Sequence, residues 1–214
     1  MGFGGKWRWG LLAAVLCCGA IATGRVGQEN LQMTVRLNDS TGMSLGTLHQ
    51  AETEAARIFH KSGIDIAWVD CSGASSSREN GCNDAPGATD FVLHIVATGR
   101  TSSEFVFGLS FLAEDGTGKY ADIFFDRLER THAQSGAPVS VLLGTVAAHE
   151  LGHLLLGLRG HSCAGIMTAV WRLDSLRQIG MGTLMFSSDQ ASRMRERLRE
   201  SAMAQVDGGK SSGK

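Results

Sequence analysis

The sequence predicts a single α/β-type domain: a mixed twisted sheet, one helix packed behind it and a second, enclosed helix beneath. Three observations predict this. The chain has 214 residues, 43% apolar and 19% charged, which is one domain's worth of material with enough apolar side chains to bury a core. Short segments of period-two alternation are interleaved with a stretch of helical periodicity. Later in the chain Val139–Leu156 is apolar on nearly all sides, the pattern of a helix surrounded by protein.

Composition also removes several function classes. Twenty basic residues against 21 acidic ones leave a formal charge of −1. A chain that binds nucleic acid by neutralising phosphates carries a basic excess, so no nucleic-acid partner is expected. The 28 glycines and two prolines follow no fixed period, which excludes collagen-like and solenoid architectures.

The elements follow in chain order. Lys6 and Arg8 precede an apolar run from Gly10 to Ala22, shorter than the roughly 20 residues that span a bilayer. With the small-x-small site Ala20-Ile21-Ala22, residues 1–22 read as a signal peptide. A secreted or periplasmic protein is expected, with no stable membrane insertion once the signal is removed. Leu31–Leu37 alternates as a strand. Ser44–Ser62 carries Leu45, Leu48, Ala51, Ala55, Ile58 and Phe59 on one helical stripe, and Gly63 is placed to end it. Ile64–Val69 alternates again, with Ile64, Ile66 and Trp68 on one face. Phe91–Ala97 is almost continuously apolar and predicts a buried central strand. Phe105–Leu112 and Ala121–Phe125 predict two more strands, joined through the turn Glu114–Gly118. Ser187 and Gln190 form a capping box that opens a final helix. Its Arg193, Arg195, Arg197 and Arg199 are expected on a solvated face. One domain over residues 31–206 is followed by a Gly/Ser/Lys-rich tail, 207–214, expected to be disordered.

Cysteine usage fits an exported chain. Two of the five cysteines leave with the signal. Cys71 and Cys82 flank the polar loop Ser72–Gly81, and a disulfide between them would stabilise the fold by about 2–3 kcal/mol through the unfolded chain. Cys163 is left over and is expected to be a small buried thiol.

The enclosed helix contains His149-Glu150-Leu151-Gly152-His153. Histidines at i and i+4 stand one above the other on a helix face, so both imidazoles can reach one metal ion. Glu150 lies beside them, where a carboxylate can take a proton from a water activated by the metal. Burying these polar groups in an apolar helix is costly unless they have a partner, and zinc supplies one. A catalytic zinc site usually takes three protein ligands. Gly157 can stop the helix in the left-handed conformation and let the chain turn back, which makes His161 the natural third ligand. Asp174 is the reserve candidate. Trp171 is a candidate for a substrate subsite or for the core. Asp126 and Arg127 are expected to form a structural ion pair. His94 is expected to be a satisfied core histidine, and His49, His60 and His132 have no ligand spacing.

Together, H-E-x-G-H, the helix-ending Gly157, His161 and the turn Gly165-Ile166-Met167 resemble the metzincin clan of zinc peptidases. The order of strand, helix, strands, active-site helix, Met-turn and C-terminal helix is similar over most of residues 31–204. The string HELGHLLLG…HS…GIM…W resembles that of a group of secreted bacterial proteins with metzincin-like motifs. The clan spacing H-E-x-x-H-x-x-G-x-x-H differs here: Gly157 comes one position later and His161 two. The resemblance implies an α+β metzincin-like fold, one catalytic Zn2+ held by His149, His153 and His161, and Glu150 as general base. It also implies Met167 as a hydrophobic floor beneath the metal, and a substrate lying extended along an edge strand, Phe105–Leu112. Where some clan members carry a Tyr soon after the Met, this chain has Thr168-Ala169-Val170-Trp171. Its only tyrosine, Tyr120, lies upstream.

The expected function is therefore a secreted zinc-dependent endopeptidase acting on protein or peptide substrates. The alternatives are a zinc hydrolase of a non-protein amide and a catalytically inactive, zinc-stabilised binding protein. Glu150 speaks against the last, because a structural site closes its fourth position and has no use for a base.

Overall fold

The computed structural model describes residues 1–2, 31–73, 81–99, 101, 103, 105–157 and 160–211, with side chains through residue 204. Residues 3–22 of the expected signal and most of the Ser72–Gly81 loop lie outside the described residues.

Five strands form one mixed sheet with helices against it. In chain order these are β1 (Leu31–Asp39), α1 (Leu45–His60), β2 (Ile64–Asp70), β3 (Asp90–Val96), β4 (Gly108–Phe111), β5 (Tyr120–Phe124), α2 (Phe125–Ser135), α3 (Val139–Leu156), α4 (Leu173–Gly180) and α5 (Ser188–Ser211). The spatial order is β2-β1-β3-β5-β4. Only β4, at one edge, runs antiparallel to its neighbour. The fold is thus the expected α+β arrangement.

The register explains the core. Val35 pairs with Trp68 and Phe91, Leu37 with Leu93, Leu93 with Ala121, and Ile95 with Ile123. Because side chains alternate across a sheet, these pairings align apolar residues of four strands on one face. They join a single cluster with the buried stripe of α1 and with α3. Leu48, Ala51, Ala55, Ile58 and Phe59 of α1 are buried, while Leu45, expected on the stripe, is exposed. Ser44 caps α1 by accepting from the Thr47 N–H at 3.1 Å. Every residue of α3 except Val139 and Val141 is buried, which is why the helix reads apolar all round.

Several expectations change. β4 is shorter than Phe105–Leu112, because only four residues pair with β5. α2 and α4 were not predicted. α2 buries only Arg127 and Leu128, α4 buries only Ile179, and neither has a side-chain N-cap, so neither carries a capping signal, and with 11 and 8 residues each is too short for its periodicity to stand out. The Ser187–Gln190 capping box forms as read. α5 then continues to Ser211, into the stretch expected to be a disordered tail. An established helix adds one hydrogen bond per residue, which a Gly-rich composition underweights; residues 212–214 lie outside the described part. Nor are the α5 arginines all solvated. Arg195 donates to the Ser62 carbonyl at 2.7 Å and Arg197 to the Gly116 carbonyl at 2.8 Å.

Candidate metal centre

α3 delivers the first two histidines. One helical turn apart, His149 and His153 bring their Nε2 atoms to 3.1 Å. Both are buried. Gly157 ends the helix at φ 64°, in the left-handed region, and its N–H bonds the His153 carbonyl at 2.9 Å. The chain returns so that His161 Nε2 stands 3.3 Å from His153 Nε2. His161 is exposed and forms the open side of the cluster. The two extra residues before His161 therefore do not keep it from the other histidines.

The turn after His161 supports the cluster from below. The Ile166 carbonyl lies 2.7 Å from His149 Nδ1. A carbonyl only accepts, so Nδ1 carries the proton and Nε2 presents a lone pair. Met167 is 1% exposed. A Cβ added to Gly152 would come within 2.8 Å of Met167 Sδ and 2.7 Å of the Phe186 ring. Glycine in the middle of H-E-L-G-H is what allows the methionine to seat against α3.

Glu150 is held from the sheet. The Ser110 hydroxyl on β4 lies 2.7 Å from Glu150 Oε2 and 2.8 Å from the Glu150 carbonyl oxygen. Burial pushes the Glu150 carboxyl up to about 7, and the Ser110 hydrogen bond opposes that rise. Burial pushes the His149 imidazole down to about 3, with the Ile166 carbonyl opposing. His161, though exposed at its rim, is partly desolvated by its neighbours and also held below its ordinary value.

Glu150 and the three histidines line one cavity of about 570 Å³. Its walls are mostly apolar and include Phe107, Val146 and Trp171. Phe107 and Trp171 stack with centroids 5.5 Å apart, and the Trp171 ring meets His149 edge-on at 5.8 Å. Trp171 is thus a wall of the cavity as well as packing material. Ser110 and Phe107 were missed in the sequence. Ser110 had left a signal, as the one polar residue in FVFGLSFL, since a polar group in an apolar strand generally has a partner.

Other candidates fall elsewhere. Asp174 is exposed and pairs with Arg177 at 3.3 Å, away from the histidines. Cys163 is free and exposed, not buried as expected, because it lies on the surface of the short turn between His161 and Met167. His94 is not in the core either; it is half-exposed on the outer sheet face and pairs with Asp122 at 3.3 Å. His132 bonds the Ala137 carbonyl at 2.8 Å, while His49 and His60 face Glu52 and Asp65. Asp126 pairs with Arg130 at 2.8 Å and less closely, at 3.4 Å, with Arg127. Tyr120 is exposed at the start of β5 and is not among the residues lining the cavity. Cys71 and Cys82 are disulfide-bonded, with Cα atoms 5.8 Å apart.

The separations from His153 to its two neighbours fit a tetrahedral ion. Two bonds of about 2.0–2.1 Å at a tetrahedral angle place their nitrogens about 3.3–3.4 Å apart, close to the 3.1 and 3.3 Å separations here. One proton on His153 Nε2 can satisfy only one neighbour, whereas a metal satisfies all three lone pairs at once. Neutral imidazoles are also the ligand form, and burial favours that form for His149 and His161.

No protein-family model matches the sequence, and no curated protein does. Among solved structures, the chain is similar to a zinc-dependent peptidase from Methanocorpusculum labreanum (strain Z), at 16% identity and a TM-score of 0.52, covering 75% of this chain and 99% of that one. It is also similar to archaemetzincin from Methanopyrus kandleri, at 16% identity and a TM-score of 0.49, covering 81% and 98%. At 16% identity the likeness to the peptidase extends to the fold and no further; the second match adds nothing to that.

Proposed function

We propose that the chain is a zinc-dependent hydrolase of peptide bonds, with His149, His153 and His161 as the metal ligands and Glu150 as the general base. The observation that carries the reading is the convergence of three imidazole nitrogens beside a buried carboxylate, in a cavity open to solvent. A zinc ion held there would polarise a carbonyl and acidify a water.

The chain's own groups supply the rest. The Ile166 carbonyl orients His149, and Ser110 orients Glu150. A carboxyl near neutrality can accept a proton from the attacking water and return it to the leaving amine nitrogen. An extended peptide would add to the free edge of β4, whose Ser110 and Leu109 line the same cavity. Met167 supports the floor of the site through Gly152. The metzincin-like motifs, the neighbour's fold and the disulfide support an exported peptidase; a disulfide is compatible with an oxidising compartment. A purely structural metal site would close its fourth position, and the open cavity speaks against that.

The experiment is Glu150→Ala assayed on a peptide library. The variant should retain zinc and fold and lose at least about 10²-fold in turnover, the scale of general acid–base catalysis. Undiminished turnover would remove Glu150 from its role.

A further inference from the structure

Arg197 is half-buried on α5, between Met194 and Leu198, which are both buried in the core. Its Nη2 donates to the Gly116 carbonyl, at the tip of the hairpin joining β4 to β5, at 2.8 Å. Its Nη1 lies directly against Gly157, where an added Cβ would collide with it. Gly116 and Gly157 are themselves in close contact, since a Cβ on Gly116 would come within 2.7 Å of the Gly157 carbonyl oxygen. One guanidinium thus joins three segments far apart in sequence: the hairpin tip, the end of α3 and the C-terminal helix.

We propose that Arg197 is a positioning residue for the third histidine. The proposal rests on reading His149, His153 and His161 as a metal-ligand set. His149 and His153 sit inside α3, which the core holds on all sides. His161 instead hangs from Gly157, four residues upstream. The far end of its loop is held by the Ser162 N–H donating to the Met167 carbonyl at 2.8 Å; Arg197 holds the near end. A cation is favoured at a helix C-terminus, where carbonyls lack partners. The guanidinium fork can also press on Gly157 while bonding Gly116, which an ammonium cannot do. The same contact ties down β4, the strand that carries Ser110. Arg195 provides the contrast. It makes the same kind of bond, to the Ser62 carbonyl, but lines a separate cavity beside α1.

The test measures equilibrium zinc affinity of the purified chain by competition with a chromophoric chelator, with thermal midpoints of the metal-free proteins alongside. Arg197→Met should weaken zinc binding by about 10-fold or more, the scale found when groups that orient metal ligands are removed. Arg197→Lys should recover part of that loss. Arg195→Met should leave affinity unchanged even where it lowers the thermal midpoint. Wild-type affinity in Arg197→Met overturns the proposal, as does an equal loss in Arg195→Met, which would make the effect one of general stability. If Arg197→Met does not fold, Arg197→Lys carries the test, and undiminished affinity in that variant overturns the proposal. A wild-type chain that takes up no zinc overturns instead the ligand reading on which the proposal rests.

Discussion

The Ser110 hydroxyl lies 2.7 Å from Oε2 of Glu150 and 2.8 Å from the carbonyl oxygen of the same residue. A serine has one proton to donate, so it serves whichever oxygen is the better acceptor. With Glu150 ionised, that is the carboxylate. This bond ties the edge strand to α3 at the carboxylate proposed for proton transfer.

Replacing Ser110 by Ala should therefore shift the pH profile. Burial holds the Glu150 carboxyl up at about 7, and the Ser110 bond pulls it down. Without that bond the carboxyl rises further, and the ionised base appears only at higher pH. The acidic limb of kcat/KM should move to higher pH in Ser110→Ala and stay near its wild-type position in Ser110→Thr. An unmoved limb in the alanine variant would detach Ser110 from the base.

Gly152→Ala should destabilise the fold without changing any charged group. The added methyl would press on Met167 Sδ and the Phe186 ring, and overpacking of this kind costs about 1–3 kcal/mol. For a domain of this size that lowers the thermal midpoint by about 2–4 °C per kcal/mol. A calorimetric scan of the metal-free protein checks it, and an unchanged midpoint would contradict the seating of Met167 against α3.

The metal-free protein should also lose stability as it is acidified. His149 is held down at about 3 in the folded chain against an ordinary 6.5, so between those values the unfolded chain binds more protons and stability falls as pH falls. Glu150 acts oppositely: its raised carboxyl favours the folded state at low pH, an advantage lost as pH rises from about 4.5 towards 7. Denaturation midpoints taken from pH 7 down to 4 should show the histidine loss partly offset by the carboxyl. In Glu150→Gln the offset should vanish and the fall with acid should steepen; an unchanged slope would count against the buried carboxyl.

The sheet and its enclosed helix were legible because burial leaves a periodic imprint. Met33, Val35 and Leu37 alternate because one face of β1 meets the core, and α3 reads apolar all round because it is buried all round. The histidine cluster was legible for a different reason: His149 and His153 are one helical turn apart, and Gly157 permits the turn back. What stayed hidden depends on contacts between distant segments. No local pattern says that Ser110 meets Glu150 forty residues away, or that Arg197 reaches Gly116. In sequence, Arg197 cannot be told from the exposed Arg193 and Arg199 beside it. α2 and α4 stayed hidden because they are short and have no side-chain cap to announce them.

Substrate preference should follow the cavity walls. Among the described residues, the lining carries no titratable side chain apart from Glu150 and the histidines, and the Phe107–Trp171 stack faces the space. A peptide-library digest should show cleavage beside large apolar or aromatic residues and little beside Asp, Glu, Lys or Arg, whose burial without a partner is costly. Preferred cleavage beside charged residues would contradict that assignment of the walls.

The central claim is that three histidines hold one metal ion, and zinc content per chain tests it most directly. Elemental analysis of the purified protein should find one equivalent of zinc in the wild type and in Asp174→Ala, and little in His161→Ala, since a catalytic zinc site generally needs three protein ligands. A wild-type chain without zinc, or a His161→Ala variant that keeps a full equivalent, would contradict the account.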